Sequence, residues 1–127
     1  MRAIDFRNIV RFNTRMGMYV CPSDRANVVA FLHGYEHGAA GKCQFTKNLG
    51  EHIAKKHRVK SGALGWPDQI ARLAERRSLD WMEMYLLVSS EVLIAAVVSP
   101  AANAEPKVAD VTLNVKPRLG DDGMVAR

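Results

Sequence analysis

The chain has 127 residues, of which 48% are hydrophobic and 24% charged, and its formal net charge is +5. These fractions are ordinary for a globular protein, so they exclude an unfolded or repetitive chain and predict one domain. The charge is uneven: residues 1–60 contain eleven Lys/Arg against four Asp/Glu, a net charge of +7, and the remainder has a net charge of −2. A basic front half indicates an anionic partner, or it serves solubility alone.

The cysteine content and the first residues indicate a cellular compartment. The chain contains two cysteines, Cys21 and Cys43, and it opens with MRAIDFRNIVRF. Charges run through this opening, which lacks the continuous apolar core of a secretory signal. We therefore expect a cytoplasmic protein with free thiols.

The first forty residues predict helices with a short break between them. Residues 1–15 favour a short amphipathic helix or an irregular arm, and the alternation in MGMYV, residues 16–20, favours a short extended segment. A helix is predicted over 23–38, with Ser23 as its N-cap and Asp24 in its first turn, where the helix dipole favours a carboxylate.

Two further helices are predicted in the middle of the chain. The first spans 45–57, with Thr46 as a candidate cap, and it ends in a basic run. A turn-forming loop, SGALG, follows at 61–65. The second helix spans 67–77, with Pro67 at its first position, where the missing N–H costs nothing.

The most apolar stretch of the chain is WMEMYLLVSSEVLIAAVV, in which 14 of 18 residues are apolar. We expect it to form a central helix over about 79–98, because a helix that is apolar on most of its circumference is usually buried. A membrane span is the rival interpretation. It is disfavoured because Glu83 and Glu91 would each cost a few kcal/mol inside a bilayer.

On a helical wheel this central helix has two apolar stripes. The helices at 23–38, 45–57 and 67–77 suffice to cover the larger stripe. The smaller one consists of Leu86, Leu93 and Val97. It needs cover from the N-terminal arm, the tail or a second copy of the chain, so a homodimer through these three residues is one expectation.

The composition changes after the central helix, where an Ala/Pro/Asn-rich linker begins. Further on, Val111, Leu113 and Val115 alternate with polar residues, a strand pattern. The sequence therefore predicts a mostly α fold. Residues 1–98 would form a compact bundle of four to five helices around the central apolar helix, and residues 99–127 a linker and tail that can add a short C-terminal β-strand.

Two residue patterns suggest metal chemistry without establishing it. His33, Glu36 and His37 match H-x-x-E-H, in which two histidines hold zinc and the glutamate acts as general base. A third ligand motif is not evident. Cys21, Cys43, His52 and His57 could form a Cys₂His₂ site, but 21 residues separate the cysteines, unlike a zinc-finger knuckle. We therefore predict no catalytic residue, no metal ligand and no cofactor.

A nucleic-acid interaction is the alternative that the basic half supports. Residues 47–73 can be interpreted as a helix–turn–helix with cations at the turn. The second helix of this segment would have to supply the base-reading side chains. These would be Gln69, Arg72, Arg76 and Arg77.

Several short landmarks occur together: RMGMY at 15–19, FLHGY at 31–35, and Gly65-Trp66 followed by Gln69-Ile70. In these landmarks the chain resembles a loose family of small bacterial proteins of unknown biochemistry, which carry R-x-G-M-Y, F-L-x-G-Y and G/D-W-x-x-x-I. Such proteins are suspected to be immunity or antitoxin-like partners of toxins. The resemblance implies a binding protein and not an enzyme.

The sequence thus favours a stoichiometric protein-binding or inhibitory module of a bacterial or mobile-element conflict system. A small basic nucleic-acid-binding protein is the alternative, and a zinc-dependent hydrolase is the third hypothesis. The basic set with two neighbouring histidines forms the predicted contact surface. These residues are Lys42, Lys47, Lys55, Lys56, Arg58, Lys60, His33 and His37.

Overall fold

A computed structural model describes residues 1–98, which form five α-helices and one 3₁₀ turn. The helices are α1 (Ala3–Thr14), α2 (Arg25–Gly38), α3 (Phe45–Lys56), α4 (Gly65–Arg77) and α5 (Trp81–Val98), and the 3₁₀ turn spans Met16–Met18. The predicted mostly α bundle of four to five helices is confirmed. The predicted strand at 111–115 lies outside the described residues.

Side chains cap the starts of α2 and α5 close to the predicted positions. Asp24, and not Ser23, caps α2, because its Oδ1 accepts a hydrogen bond from the Asn27 backbone N–H at 3.0 Å. At the start of α5, Asp80 and Glu83 each accept from the other's backbone N–H, at 2.8 and 3.1 Å. This reciprocal pair is a capping box, which satisfies two N–H groups that a helix terminus leaves unpaired.

The start of α3 is capped from another helix. The Glu36 carboxylate accepts from the Thr46 backbone N–H at 2.7 Å and from its hydroxyl at 2.6 Å. The cap is therefore a glutamate of α2, and the prediction that Thr46 caps α3 with its own side chain is wrong. A carboxylate at this position also complements the positive end of the helix dipole.

The predicted extended segment at 16–20 is a 3₁₀ turn instead. The turn buries Met16 and carries Tyr19 edge-on to both Phe12 and Phe31, at ring distances of 5.8 and 5.6 Å. Phe12 and Phe31 are themselves stacked at 4.1 Å. An extended segment would carry Tyr19 away from this cluster, so packing of the aromatic rings overrides the alternating pattern.

A buried ionic cluster joins α1 to α2. Asp5 is fully buried, and Arg2 donates to its two oxygens from Nε at 2.6 Å and Nη2 at 2.8 Å. The Tyr35 hydroxyl donates to Asp5 Oδ1 at 2.6 Å and accepts from Asn8 Nδ2 at 3.0 Å. Burial alone would raise the pKa of Asp5, but the hydrogen bonds from Arg2 and Tyr35 outweigh it and lower that pKa.

Helix α5 belongs to the core as predicted, and the bundle covers only part of its predicted smaller stripe. Its buried side consists of Met84, Tyr85, Val88, Ser89, Val92 and Leu93. The predicted smaller stripe needed cover, and the structure divides it: Leu93 is only 7% exposed, whereas Leu86 and Val97 are 37% and 59% exposed. Helix α1 packs on that side: Asn13 accepts from the Tyr85 hydroxyl at 2.8 Å and donates to Ser89 Oγ at 3.0 Å.

By length and composition alone, α5 is also the one helix of residues 1–98 that could cross a membrane, with a mean hydropathy of 1.6. Only 33% of this window is buried within the bundle. The core helix of a water-soluble bundle meets the same length and hydropathy criterion, so this criterion alone does not separate the two settings.

Two helical glycines should respond in opposite ways to alanine. At Gly34, in α2, an added Cβ would meet nothing within 4 Å, so Gly34→Ala should raise the free energy of unfolding by about 0.5–1 kcal/mol through helix propensity. At Gly50, in α3, the Cβ would lie 3.1 Å from Gln69 Oε1. The Gln69 side chain is held by hydrogen bonds to two carbonyls, so we expect Gly50→Ala to destabilise the fold. Urea unfolding of both variants tests this, and equal stabilisation would contradict it.

Candidate functional site

Three side chains with metal-binding chemistry meet where the end of α3 packs against α5. The Nε2 atoms of His52 and His57 lie 2.7 and 2.9 Å from the same oxygen, Oε1 of Glu91. The donor atoms of the three residues all lie within 4.8 Å of one another. The His57 side chain is 5% exposed, and those of His52 and Glu91 are 21% and 24% exposed. We call these three residues the His–His–Glu cluster.

The end of α3 explains how two histidines five positions apart reach one carboxylate. His57 is the C-cap of α3, and Arg58 then turns the chain with a left-handed φ of 61°. The turn carries Val59 back into the core, where its backbone N–H donates to the Ile53 carbonyl at 3.4 Å. Val59 anchors this turn, and His57 is held against α5 beside His52.

The neighbours of His57 fix its tautomer. Arg77 Nη2 lies 3.0 Å from His57 Nδ1, and a guanidinium can only donate. Nδ1 is therefore the accepting nitrogen, and the ring proton sits on Nε2, which donates to Glu91. Arg76 adds a hydrogen bond of 3.2 Å to the His57 carbonyl. In this arrangement the His57 ring lies between the Arg77 guanidinium and the Glu91 carboxylate.

Glu91 is the charged centre of the cluster. Partial burial alone would raise its pKa, but hydrogen bonds from His52, His57 and Lys56 outweigh burial and lower the pKa to about 2. The Lys56 ammonium lies 3.3 Å from Glu91 Oε2. The carboxylate is therefore ionised at every pH above its lowered pKa.

The lowered pKa predicts acid sensitivity at this position. The folded pKa lies below the model-peptide value of 4.5, so the stabilisation by Glu91 is fully present above pH 4.5 and is lost as the pH falls towards 2. We expect Glu91→Gln to lower the free energy of unfolding at pH 7 by about 2 kcal/mol. The difference from wild type should shrink between pH 4.5 and pH 2. Urea unfolding across this range checks it, with exposed Glu75→Gln as the control; a difference that is constant with pH would contradict it.

The sequence-predicted contact residues lie at the surface. Lys42, Lys47, Lys55, Lys56, Arg58, Lys60, His33 and His37 are all exposed. Their contact with a partner stays a prediction. Within the described chain, Lys56 is paired with Glu91, and His33 Nε2 accepts from the Trp66 indole N–H at 3.3 Å.

The residues of the two sequence-level metal hypotheses have other positions. In the H-x-x-E-H pattern, both oxygens of Glu36 are bonded to Thr46, so that carboxylate is occupied as a helix cap. In the Cys₂His₂ hypothesis, Cys43 is buried and Cys21 exposed, and neither belongs to the one group of three or more potential ligands within residues 1–98. The contact of Glu91 with His52 and His57 was not predicted, since its only signal in the sequence is a carboxylate inside an apolar helix.

The helix–turn–helix hypothesis assigned four side chains of α4 to base reading, and the structure contradicts one of these assignments. Gln69 is fully buried, which corrects its assignment to an exposed face. Arg72 is bonded to Asp68 at 2.8 Å and to the Lys60 carbonyl at 2.7 Å. Arg76 and Arg77 both donate to His57. Gln69 is therefore part of the core, whereas the three arginines are exposed side chains that each hold a hydrogen bond within the bundle.

The outer side of α5 is an apolar surface within the described residues. Its large exposed apolar side chains are Leu86 and Leu87 at 37%, Ile94 at 60%, Val97 at 59% and Val98 at 69%, with exposed Ser90 one helical turn from Leu86 and Ile94. We call these five residues the α5 outer face. Glu91 lies one helical turn from both Leu87 and Ile94, so its ion pair places Lys56 beside this face.

Comparison of the chain with protein-family models, with curated proteins and with solved structures yields no match.

Proposed function

We propose that the chain is a stoichiometric protein-binding module, of inhibitory or immunity-like kind, which docks a partner on the α5 outer face. The observation that carries this proposal is the exposure of five large aliphatic side chains on one side of a core helix. Scattered exposed apolar residues are normal on protein surfaces, whereas a contiguous apolar patch with a polar rim marks interaction sites.

The charges beside the face indicate the chemistry of the partner. Lys56, the last residue of α3, borders the α5 outer face through its ion pair with Glu91. Exposed Lys55, Arg58 and Lys60 lie within four residues of Lys56 in the chain. Charged rims set orientation and association rate more than affinity. The partner surface that fits is an apolar patch flanked by carboxylates.

The test compares the tagged full chain with two variants in affinity purification from the native host. We expect one protein at 1:1 with the wild type and a loss of about 100-fold or more in affinity for Ile94→Asp/Val97→Asp, because central apolar contacts dominate binding energy. Leu64→Asp places the same change on an exposed loop leucine, and it should bind as wild type does. Circular dichroism checks that both variants are folded.

The result that contradicts the proposal is a partner retained by the double variant. If the wild type is a dimer and the double variant is a monomer, the occupant of the α5 outer face is a second copy of the chain and not another protein. That interface would use Leu86 and Val97 from the predicted homodimer, but not the buried Leu93. For the charged rim, Lys55→Glu/Arg58→Glu should slow association while leaving the Lys56–Glu91 pair intact.

One observation favours nucleic acid as a second candidate. Arg7 and Arg11 lie one turn apart on α1 and Arg15 is the C-cap residue of that helix; all three are exposed and without a side-chain partner within residues 1–98. Such a row can contact successive phosphates. Binding to duplex or single-stranded nucleic acid that weakens steeply with salt, and is lost in Arg7→Gln/Arg11→Gln, would support this candidate over a protein partner.

A further inference from the structure

We propose that the His–His–Glu cluster is a binding site for a divalent transition metal ion, with zinc(II) as the expected ion. Two imidazole nitrogens and a carboxylate oxygen converge from two helices, within 4.8 Å of one another. All four histidines of the chain lie within residues 1–98, and these two are the pair that meets a carboxylate.

The distances allow an ion to enter with small movements. Zinc binds imidazole nitrogen and carboxylate oxygen at about 2.0–2.2 Å, so ligand atoms of a tetrahedral site lie roughly 3.3–3.5 Å apart. The two nitrogen–oxygen distances, 2.7 and 2.9 Å, would lengthen by about half an ångström, and the two imidazole nitrogens, which lie within 4.8 Å of each other, would have to reach the same spacing. Partly exposed His52 and Glu91 adjust by side-chain rotation, while buried His57 is the fixed ligand.

The donor set selects the class of ion. Two imidazoles with one carboxylate suit zinc and its neighbours in the transition series, whereas magnesium and calcium prefer sites made of oxygen. Three protein ligands leave a fourth tetrahedral position, which solvent can fill because His52 and Glu91 reach the surface.

The side chains of Arg77 and Lys56 occupy positions that a bound metal ion would need free, which gives the proposal a distinctive test. A metal on His57 Nε2 requires the ring proton to move to Nδ1, where Arg77 now donates. Lys56 likewise occupies the second oxygen of Glu91. Both cationic side chains are exposed and can swing into solvent. Removing the donor at Nδ1 should therefore strengthen metal binding, the opposite of what loss of a merely structural contact would do.

The experiment is isothermal titration of the chelator-treated full chain with zinc(II), followed by cobalt(II) absorbance to report a tetrahedral site. We expect one ion per chain. His52→Ala and Glu91→Gln should each weaken zinc affinity by about tenfold or more. Arg77→Gln should tighten zinc binding by about threefold or more, because the glutamine amide oxygen can accept from the Nδ1–H of His57.

The matched control is His37→Ala. It removes the exposed i,i+4 histidine pair of α2 and leaves both the Trp66–His33 bond and the His–His–Glu cluster intact. Zinc affinity should not change in this variant. The proposal is overturned if the wild type does not bind zinc, if His37→Ala abolishes binding, or if folded His52→Ala and Glu91→Gln bind as tightly as the wild type. Because none of these variants replaces a residue of the α5 outer face, and failure of zinc binding does not affect its apolar contacts, failure here leaves the protein-binding proposal standing.

Discussion

Asp5→Ala should lower the free energy of unfolding by about 3 kcal/mol at pH 7, because it removes the buried acceptor shared by Arg2 and Tyr35. The expected cost is at the lower end of the range for broken buried pairs, since the Arg2 side chain is 41% exposed and recovers some hydration. The Tyr35 hydroxyl then keeps Asn8 as a partner but loses its own acceptor. Equilibrium urea unfolding measures the change.

The chain offers a matched surface pair as the control. Asp68 and Arg72 are also an aspartate–arginine contact, at 2.8 Å, but their side chains are 29% and 43% exposed. Surface ion pairs contribute little because water screens them, so Asp68→Ala should cost less than about 1 kcal/mol. Equal costs for the two aspartates would show that burial of Asp5 does not govern its contribution.

Gln69→Glu should be more damaging than its small change in size suggests. Gln69 is fully buried, and its Nε2 donates to the Gly50 carbonyl at 3.1 Å and to the Val59 carbonyl at 2.8 Å. A carboxylate there would place a buried negative charge against two carbonyl oxygens. We expect a loss of about 3–5 kcal/mol in the free energy of unfolding at pH 7.

The pH dependence separates this charge effect from loss of packing. Burial and the facing carbonyls raise the pKa of a carboxyl at this position above its unfolded value. The protonated form can donate one hydrogen bond, so the variant should be least impaired at low pH and lose stability as the pH rises. Gln44→Glu makes the same exchange at an exposed residue before α3 and should be nearly neutral. A pH-independent cost at position 69 would contradict the charge explanation.

The Lys56–Glu91 ion pair connects the predicted contact surface to the His–His–Glu cluster. Lys56 pairs with Glu91, and Glu91 accepts from both histidines, so α3 is held against α5 by an ionic contact beside an apolar face. An ion in the cluster would release Lys56 towards the α5 outer face. Comparing partner binding with and without zinc would show whether the two proposed sites communicate.

Local patterns in the sequence were sufficient to predict four of the five helices, and they left α1 open between a helix and an irregular arm. The apolar periodicity predicted α2, α3, α4 and α5 to within one or two residues at each end, because burial of one side selects that period. Helix α5 is apolar nearly all round, so its length and its continuous apolar character predicted it as a buried helix. The 3₁₀ turn at Met16–Met18 was not predictable in this way, since contacts of Tyr19 with Phe12 and Phe31 decide it.

The sequence by itself determined the fold class and the surface position of the basic residues, because hydrophobic period and charge act locally. Only the tertiary structure decided that Leu93 is buried and that Gln69 lies inside the core. It also decided that Glu91 meets His52 and His57, from which it is separated by 39 and 34 positions. Such pairings depend on the angle and register at which one helix packs on another, and no local pattern encodes them.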